Sequence, residues 1–411
     1  MPKQPIKIVS MTENFSNPFR PGAGHRPPYL AGRKDETDEF RKLLQQDVIL
    51  QNLVLTGLRG VGKTVLLDDW RPLALTEKWL WVGTDLSESA SLTEERIAIR
   101  LITDLSVVTS TIVLKSEQRR SLGFGGKAER IDYRLGVESL MQVYNRTPGL
   151  TADKLQATLE FGWSALNARS VRGVVFAYDE AQNLDDHAAR DEFPLSLLLN
   201  VFQSLQKKGV RFLLVLAGLP TLFPKMVKAR TFAERMFHVL FLDRLSKSDS
   251  REAIQKPIEV ANCPVELDNP SIDLIVEMSD GYPYFIQFIC REVYDVFVQQ
   301  HDRGEKKSVP VTEIQRKLDT DFFSGRWARA TDRQRELLSV IANLENCDRE
   351  FTVAEIAASS QDQDKPFSPS HVSQMLVKLA EAGLVYKNRH GKYSFAVPLL
   401  GPFVRRQLAE A

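Results

Sequence analysis

The stretch GLRGVGKTVLLDDW, from Gly57 to Trp70, decides the fold of this chain. It follows the short apolar run NLVLT and contains the pattern G-x-x-x-x-G-K-T, so it predicts a strand, a glycine-rich loop and a helix in succession. Glycines let backbone N–H groups approach phosphate oxygens, and the helix N-terminus adds the positive end of its dipole. The lysine of such a loop reaches the outer phosphates, and the threonine hydroxyl coordinates Mg²⁺. The predicted nucleotide contacts are Gly57, Gly60, Val61, Gly62, Lys63, Thr64 and Val65, with Thr64 also a metal ligand.

A second apolar run supplies the carboxylates that hydrolysis needs. Val174 to Tyr178 has the composition of a buried strand, and Asp179 and Glu180 follow it, where ligands of parallel α/β sheets collect. We expect Asp179 to hold the Mg²⁺ shell and Glu180 to polarise the attacking water, with Lys63 as a further catalytic residue. The sequence therefore predicts ATP or ADP and Mg²⁺ as cofactors, and an ATPase that converts ATP and water to ADP and phosphate.

Three further apolar runs complete a sheet. They span residues 76–86, 211–220 and 238–245, and helical patterns separate them. Together with the strands before Gly57 and Asp179 they predict the α/β class, with a five-stranded parallel P-loop sheet flanked by helices.

The composition is that of a globular protein with two or three domains. The 411 residues are 43% hydrophobic, which is enough to bury full cores. Lys and Arg total 54 against 53 Asp and Glu, so the net charge of +1 means that any nucleic-acid-binding surface must be local. The three cysteines lack metal-ligand spacing, and no apolar run approaches the roughly 18 residues of a membrane span. We therefore expect a cytoplasmic protein without a membrane partner.

These motifs together resemble the AAA+ P-loop ATPases. The P-loop, the strand VVFAYDE, the strand LVLAGLP and the following KARTFAERMF are most similar to the origin-recognition-type initiators and the STAND ATPases. The opening NPFRPGAGHRPPYLAGRKDE resembles the segment before the P-loop in a group of bacterial ATP-binding proteins of this kind. The resemblance implies that this segment packs near the adenine with Tyr29 as a contact. The alternative is that Tyr29 is a surface-loop aromatic.

The resemblance also implies an arginine finger, which a neighbouring subunit usually supplies. Such a cation stabilises charge on the transferring γ-phosphoryl group. Arg235, in AERMF, aligns best with the family's arginine, and Arg230 and Arg244 are the alternatives. A finger that acts between subunits requires an assembly, so we expect a homo-oligomer.

Two positions depart from the initiator pattern. Initiators commonly carry an asparagine at the end of the fourth strand to sense the γ-phosphate, and here that position is Gly218, with Thr221 close by. Their lid presents an arginine in a G-D-x-R context, whereas this chain has GYPYFIQ, similar to the G-x-P motif of STAND proteins. The resemblance implies that Pro283 packs on the nucleotide; the alternative is that GYP only begins the next helix. These departures favour a slow ATPase that acts as a switch.

The second half of the chain predicts two more regions. Ser246 to about Asp321 has apolar residues at helical spacing, as in a small helical lid. After it come three predicted helices, the first with a capping box of Thr331 and Gln334 and the third with Ser370 as N-cap. Two short strands around a His390–Gly391 turn then complete a winged helix-turn-helix. The predicted domains are an N-terminal arm near the adenine (1–30), the ATPase domain (31–245), the lid (246–321) and the winged helix (322–411).

Duplex DNA is the favoured partner of the winged helix, and packing against a protein partner is the alternative. Its third helix suits base contacts and its strands suit phosphate contacts. The charge is modest, because residues 326–411 contain 12 Lys or Arg against 10 Asp or Glu. The predicted DNA contacts are His371, Ser373, Gln374, Lys378, Lys387, Arg389 and Lys392.

A basic segment with a glycine-rich centre, from Lys115 to Arg134, lies between the second and third predicted strands. Its composition favours a solvated flexible loop over a contact with nucleic-acid backbone.

Two function hypotheses follow. The first is an ATP-hydrolysing AAA+ switch whose nucleotide state controls oligomerisation and a DNA-associated winged helix. The second is a STAND-like signalling regulator that holds ADP or ATP and binds a protein partner without DNA contact. A small-molecule P-loop kinase is disfavoured, because Glu180 and the winged helix have no role in one.

Overall fold

The computed structural model describes residues 16–22, 24–120, 128–263, 265–389 and 391–410. The strands are β1 (Asn52–Gly57), β2 (Trp79–Val82), β3 (Val113–Arg120), β4 (Ala128–Arg134), β5 (Gly173–Tyr178), β6 (Phe212–Gly218), β7 (Phe237–Leu242), β8 (Phe351–Thr352), β9 (Val385–Arg389) and β10 (Lys392–Phe395). The helices are α1 (Lys34–Leu44), α2 (Lys63–Thr76), α3 (Glu94–Thr109), α4 (Val137–Arg146), α5 (Thr151–Asn167), α6 (Pro194–Lys207), α7 (Leu222–Ala229), α8 (Ala233–Met236), α9 (Lys247–Val260), α10 (Asn269–Ser279), α11 (Pro283–Asp302), α12 (Val311–Leu318), α13 (Ser324–Trp327), α14 (Asp332–Ala342), α15 (Val353–Ser359), α16 (Pro369–Glu381) and α17 (Leu400–Glu410). None of these helices is both long enough and apolar enough to cross a membrane.

The largest sheet is five-stranded and parallel, with the order β2-β5-β6-β1-β7. Leu53 of β1 lies opposite Val215 of β6, and Val174 of β5 lies opposite Phe212 of β6. Every residue of β1, β5 and β6 is buried, as expected of central strands covered on both faces. The predicted α/β class and the five predicted strands are confirmed.

The chain forms two compact units, each assembled from separate stretches. Among the described residues, the sheet unit comprises those in the ranges 34–57 and 66–241, and the lid unit comprises those before residue 34, those in the range 58–65 and those from residue 242 onward. The core of the sheet unit includes Phe176, whose ring centre lies 5.3 Å from that of Phe202 and 5.0 Å from that of Phe212. The P-loop thus belongs to the lid unit, whereas the sheet belongs to the other unit.

An aromatic ladder runs through the core of the lid unit. It consists of Phe285, Phe322, Phe323 and Phe403, with 5.0 Å between successive ring centres. Phe285 lies on α11, Phe322 and Phe323 lie in a short π-helical turn, and Phe403 lies on α17. The lid helices and the C-terminal region therefore share one continuous core.

The C-terminal region has the predicted order of helices and strands. Helices α14, α15 and α16 are followed by the strands β9 and β10 and then by α17. A third short strand, β8, lies between α14 and α15 and pairs with β10, so the small sheet has the order β8-β10-β9. The capping box of Thr331 and Gln334 is confirmed. The prediction of Ser370 as N-cap is wrong, because Ser368 accepts a hydrogen bond from the His371 N–H and Pro369 takes the first helical position. His390, in the predicted turn, lies outside the described residues.

The basic segment between the second and third sheet strands forms an antiparallel hairpin of β3 and β4. Val113 pairs with Arg134 and Arg120 pairs with Ala128, and the Ser116 hydroxyl donates to Asp132 across the strands at 2.6 Å. The prediction of a loop is therefore wrong for the flanks, because cross-strand pairing organises their polar residues. Residues 121–127, at its glycine-rich centre, lie outside the described part of the chain.

Candidate active site

The loop that connects β1 to α2 has the conformation that its glycines predict. Gly60 and Gly62 have φ angles of +80° and +96°, in the left-handed region that favours glycine. Helix α2 begins at Lys63, so the N–H groups of its first turn point out of the N-terminal end of the helix. The Lys63 ammonium donates to the Leu58 carbonyl oxygen at 2.9 Å and so closes the loop on itself.

This loop fits a phosphate group. A Cβ atom built on Gly62 meets nothing within 4 Å, so the space beside that residue is open. Backbone N–H groups, the helix N-terminus and the Lys63 ammonium all favour an anion there. The Thr64 hydroxyl is an oxygen donor of the kind that Mg²⁺ prefers.

The segment before α1 lies against the P-loop. Arg33 is buried, and one of its guanidinium nitrogens donates to the carbonyl oxygens of Val61, at 3.0 Å, and Asp243, at 2.8 Å. A Cβ atom on Gly24 would lie 3.3 Å from the Thr64 methyl group. Arg33 therefore fixes the loop backbone, a role that its place in the sequence does not reveal.

Tyr29 has a defined partner in the same unit. Its hydroxyl donates to Glu252 on α9 at 3.0 Å, and its ring packs against the core of the lid unit. The contact with adenine stays a prediction.

The GYP segment also lies against the P-loop. Pro283 is the first residue of α11, as the alternative interpretation expects. The Tyr284 N–H donates to the Gly60 carbonyl oxygen at 3.2 Å, and a Cβ atom on Gly60 would lie 3.1 Å from that of Tyr284. The first turn of α11 therefore touches the loop, while the contact of Pro283 with nucleotide stays a prediction.

Sequence reasoning did not find Arg326. Its guanidinium lies 4.4 Å from the ring centre of Phe322. Burial lowers the pKa of Arg326, and the positive charges of Arg59 in the P-loop and of Arg329 lower it further. Arg326 therefore adds positive charge near the loop, although it lies more than 250 residues from Arg59 in the sequence.

In the sheet unit, Asp179 and Glu180 follow β5 at the edge where β1 also ends. Asp179 is buried, its N–H donates to the Thr84 carbonyl oxygen at 3.3 Å, and its own carbonyl oxygen accepts the Leu86 N–H at 2.9 Å. Its carboxylate accepts the Glu180 N–H at 2.8 Å. Glu180 is exposed, with a left-handed φ of 52°. The Asp179 carboxylate is thus fixed at the end of the strand, and the Glu180 carboxylate is open to solvent; their roles in metal binding and water activation stay predictions.

Negative charge accumulates at this edge of the sheet. Desolvation raises the pKa of Asp85, and the carboxylates of Asp179, Glu180 and Asp68 raise it further. Asp85 pairs with Asp179 through a parallel backbone bridge. A cation such as Mg²⁺ relieves this kind of repulsion.

A buried polar network anchors β5 immediately before Asp179. The Tyr178 hydroxyl donates to Asp104 at 2.7 Å, and the Arg100 Nε donates to the same carboxylate at 2.9 Å. Burial raises the pKa of Tyr178 well above its ordinary value, and the Asp104 carboxylate adds to the effect. The tyrosine therefore stays protonated and keeps Asp104 satisfied.

Gln182 occupies the space beside Gly218, at the end of β6. Its side-chain Oε1 accepts the Leu219 N–H at 3.1 Å, and its Nε2 donates to the Glu180 carboxylate. A Cβ atom on Gly218 would lie only 2.7 Å from the Gln182 Oε1. Sequence reasoning assigned no role to Gln182.

Comparison with known proteins settles the fold. A family model described as a domain of unknown function (DUF8462) matches residues 320–404. No curated protein matches the sequence. A Walker-type ATPase of Pyrococcus abyssi is 16% identical, with 92% of this chain and 97% of that chain covered and a TM-score of 0.58. The ADP form of the ORC2 protein of Aeropyrum pernix is 14% identical, with 94% and 97% covered and a TM-score of 0.51. This chain has the AAA+ P-loop ATPase fold.

Within the AAA+ fold, the three candidate finger arginines differ in their contacts. The Arg230 Nε donates to Asn200 at 3.1 Å, and Arg244 forms an ion pair with Asp280. Arg235, on α8, is exposed; its backbone N–H donates to the Phe232 carbonyl oxygen at 3.0 Å, but its guanidinium forms no hydrogen bond or ion pair with any described residue. Its guanidinium is therefore the one available to another molecule, although its role stays a prediction.

The residues predicted to contact DNA lie in the C-terminal region, which follows the AAA+ sheet and the lid helices in the chain. On α16, His371, Gln374 and Lys378 are exposed, while the opposite face is buried. The Ser373 hydroxyl donates to the Pro369 carbonyl oxygen at 2.9 Å. On the two strands, Lys387 is exposed and Lys392 is half-buried. The side chain of Arg389 lies outside what the structure describes.

Proposed function

We propose that this protein is an ATP-hydrolysing AAA+ switch, and that its nucleotide state controls oligomerisation and a C-terminal winged helix on duplex DNA. The observation that carries the proposal is the contact of the P-loop with two later parts of the chain. The first turn of α11 donates to Gly60, and a Cβ atom on Gly383, just after α16, would lie 3.9 Å from the Arg59 guanidinium. A phosphate that reshapes the loop would therefore act on the lid and on the C-terminal region.

Each residue has a distinct part in the proposed reaction. The loop N–H groups and Lys63 would bind the phosphates, and Thr64 and Asp179 would hold Mg²⁺. When bound, Mg²⁺ would screen the phosphate charge while water replaces ADP on the γ-phosphorus, so that the bond between the γ-phosphorus and the bridging oxygen breaks and ADP leaves. Glu180 accepts the proton of the attacking water.

Slow turnover follows from what a single copy lacks. The charge on the transferring γ-phosphoryl group needs a cation to stabilise it. The Arg235 guanidinium of a neighbouring copy could supply that cation, because it is not engaged by a described residue of its own chain. Assembly then sets the rate, which suits a switch better than a motor.

The second candidate is the STAND-like regulator that binds a protein partner. The contact between the GYP segment and Gly60 favours it, because that segment replaces the lid arginine of initiators. In this case the C-terminal region is a packing module, and ADP holds the closed state.

The test measures ATP turnover and assembly mass with and without duplex DNA. It uses the wild type, Glu180→Gln and a control, Glu95→Gln, which changes an exposed glutamate on α3. We expect Glu180→Gln to lower kcat by about 10²- to 10⁴-fold with nucleotide affinity retained, and the control to match the wild type.

DNA decides between the two candidates. A DNA-dependent change in rate or mass, with DNA retention that weakens as salt rises, supports the first. ADP that survives purification, with no response to DNA, supports the second. Equal turnover by the wild type and Glu180→Gln rules out hydrolysis at this site.

A further inference from the structure

We propose that Gln182 is a positioning residue for hydrolysis: its side-chain amide ties the Glu180 carboxylate to the end of β6 and fills the sensor position that Gly218 leaves empty. The inference rests on the proposed function in one respect, namely that Glu180 activates the attacking water.

The amide of Gln182 bridges two neighbouring strands. Nε2 donates to Glu180, just after β5, and Oε1 accepts the backbone N–H of Leu219, just after β6. The two strands are adjacent and parallel, so both ends lie at the same edge of the sheet. An amide that offers a donor to one side and an acceptor to the other is suited to this position.

The backbone of Gln182 is held as well. Its carbonyl oxygen accepts a hydrogen bond from the Lys225 ammonium at 2.8 Å, and the same ammonium lies 3.1 Å from the Asp185 carboxylate. Because the main chain and both ends of the side-chain amide are engaged, little conformational freedom remains for the side chain to lose in the reaction.

Gly218 is what makes room for this amide. Its φ angle lies outside the left-handed region, so the backbone itself accepts any residue. A Cβ atom would nevertheless lie 2.7 Å from Gln182 Oε1 and 3.0 Å from the Leu222 Cδ2. The Gln182 amide can therefore occupy this position only because residue 218 has no side chain.

Glu180 needs such a tether because of its own setting. Glu180 is exposed and its own backbone is in the left-handed conformation. Because the side chain projects into solvent, packing does not fix the position of its carboxylate. A general base must hold its oxygen within hydrogen-bonding reach of the water it activates. The Gln182 amide restricts the carboxylate while leaving its second oxygen for the water.

The experiment compares seven full-length proteins: wild type, Glu180→Gln, Gln182→Ala, Gln182→Glu, Gly218→Ala, the Gln182→Ala/Gly218→Ala double variant and one control. Gln182→Glu keeps the shape but replaces the donor with a second carboxylate. The control is Gln156→Ala, which removes another glutamine amide that donates to a glutamate, Glu160, at 2.9 Å on α5. Steady-state ATP turnover gives kcat and KM, a fluorescent ADP analogue gives nucleotide affinity, and thermal melting reports folding.

We expect all three single variants at Gln182 and Gly218 to lower kcat at least tenfold, with KM and ADP affinity within twofold of the wild type. The double variant should be no slower than Gln182→Ala, because Gly218→Ala acts by displacing the same amide. The control should match the wild type.

Three outcomes overturn the inference. If Gln182→Ala turns over ATP as fast as the wild type or faster, while Glu180→Gln is slow, Gln182 does not position Glu180 and the proposed function is unaffected. Lowered ADP affinity, or losses from Gln182→Ala and Gly218→Ala that multiply, indicates a structural role. Wild-type turnover no higher than that of Glu180→Gln removes the proposed function and this inference together.

Discussion

At the scale of single residues, Arg235 differs from the other two candidate arginines in the contacts of its guanidinium. The Arg230 and Arg244 side chains are held by Asn200 and Asp280, whereas the exposed Arg235 guanidinium forms no hydrogen bond or ion pair with any described residue. We predict that Arg235→Ala lowers turnover by roughly 10³-fold or more while sparing ATP binding. Arg230→Ala is the control and should retain turnover.

Mixing the Arg235→Ala and Glu180→Gln variants shows whether Arg235 acts on the site of a neighbouring copy or on the site of its own copy. Arg235→Ala and Glu180→Gln are each inactive alone, but a mixed assembly contains interfaces with one intact Glu180 and one intact Arg235. Turnover that reappears on mixing supports a finger supplied by a neighbour. Undiminished turnover of Arg235→Ala, or a loss confined to Arg230→Ala, assigns the role elsewhere.

Single residues also mark how far the sequence could predict the site. The P-loop and the pair Asp179–Glu180 form contiguous motifs next to apolar strands, so the local sequence pattern is enough to predict them as site residues. Gln182 is only two residues from Glu180, but it gains its second partner, Leu219, only because β5 pairs with β6. Arg33 and Arg326 likewise reach the loop region through tertiary packing, which no spacing rule records.

At the scale of elements, the junction of the P-loop and α11 depends on Gly60. A methyl group there would be strained at φ +80° and would approach the Tyr284 Cβ at 3.1 Å. Gly304→Ala is a matched control, because Gly304 also has a positive φ, +66°, but a Cβ atom there would meet nothing within 4 Å. Both variants should lose about 1–2 kcal/mol of unfolding free energy.

Only Gly60→Ala should also weaken ADP binding, by about tenfold, because only it disturbs the phosphate loop and the first turn of α11. Thermal melting and titration with a fluorescent ADP analogue measure the two effects separately. Equal ADP affinities for the two variants would show that the junction does not respond to nucleotide.

The elements differ in how well the sequence predicted them. The central strands are buried on both faces, so each is a continuous apolar run that is hard to mistake. The β3–β4 hairpin is polar, and its glycine-rich centre resembles a linker in composition as much as a turn. The start of α16 was misplaced by two residues, because Ser368 and Ser370 flank the same proline and composition does not separate them.

At the scale of the whole molecule, a net charge of +1 means that any hold on DNA is local. We predict that Lys378→Ala weakens binding to duplex DNA and makes the dependence of log affinity on log salt shallower by about one. Lys365→Ala is the control, because it removes another exposed lysine of the C-terminal region outside α16. Fluorescence anisotropy over a salt series measures both. Identical salt slopes for the two variants would favour a protein partner over DNA.

The aromatic ladder gives the lid unit a mechanical property. Interlocked rings resist bending where α11, the π-helical turn and α17 meet, so this part of the chain should move as one body. Helix α11 has 20 residues, or about 30 Å of length, and its first turn is the end that touches Gly60. Under the proposed function, a displacement of the loop by bound phosphate would be transmitted along the whole length of α11, because a rigid helix moves as a unit.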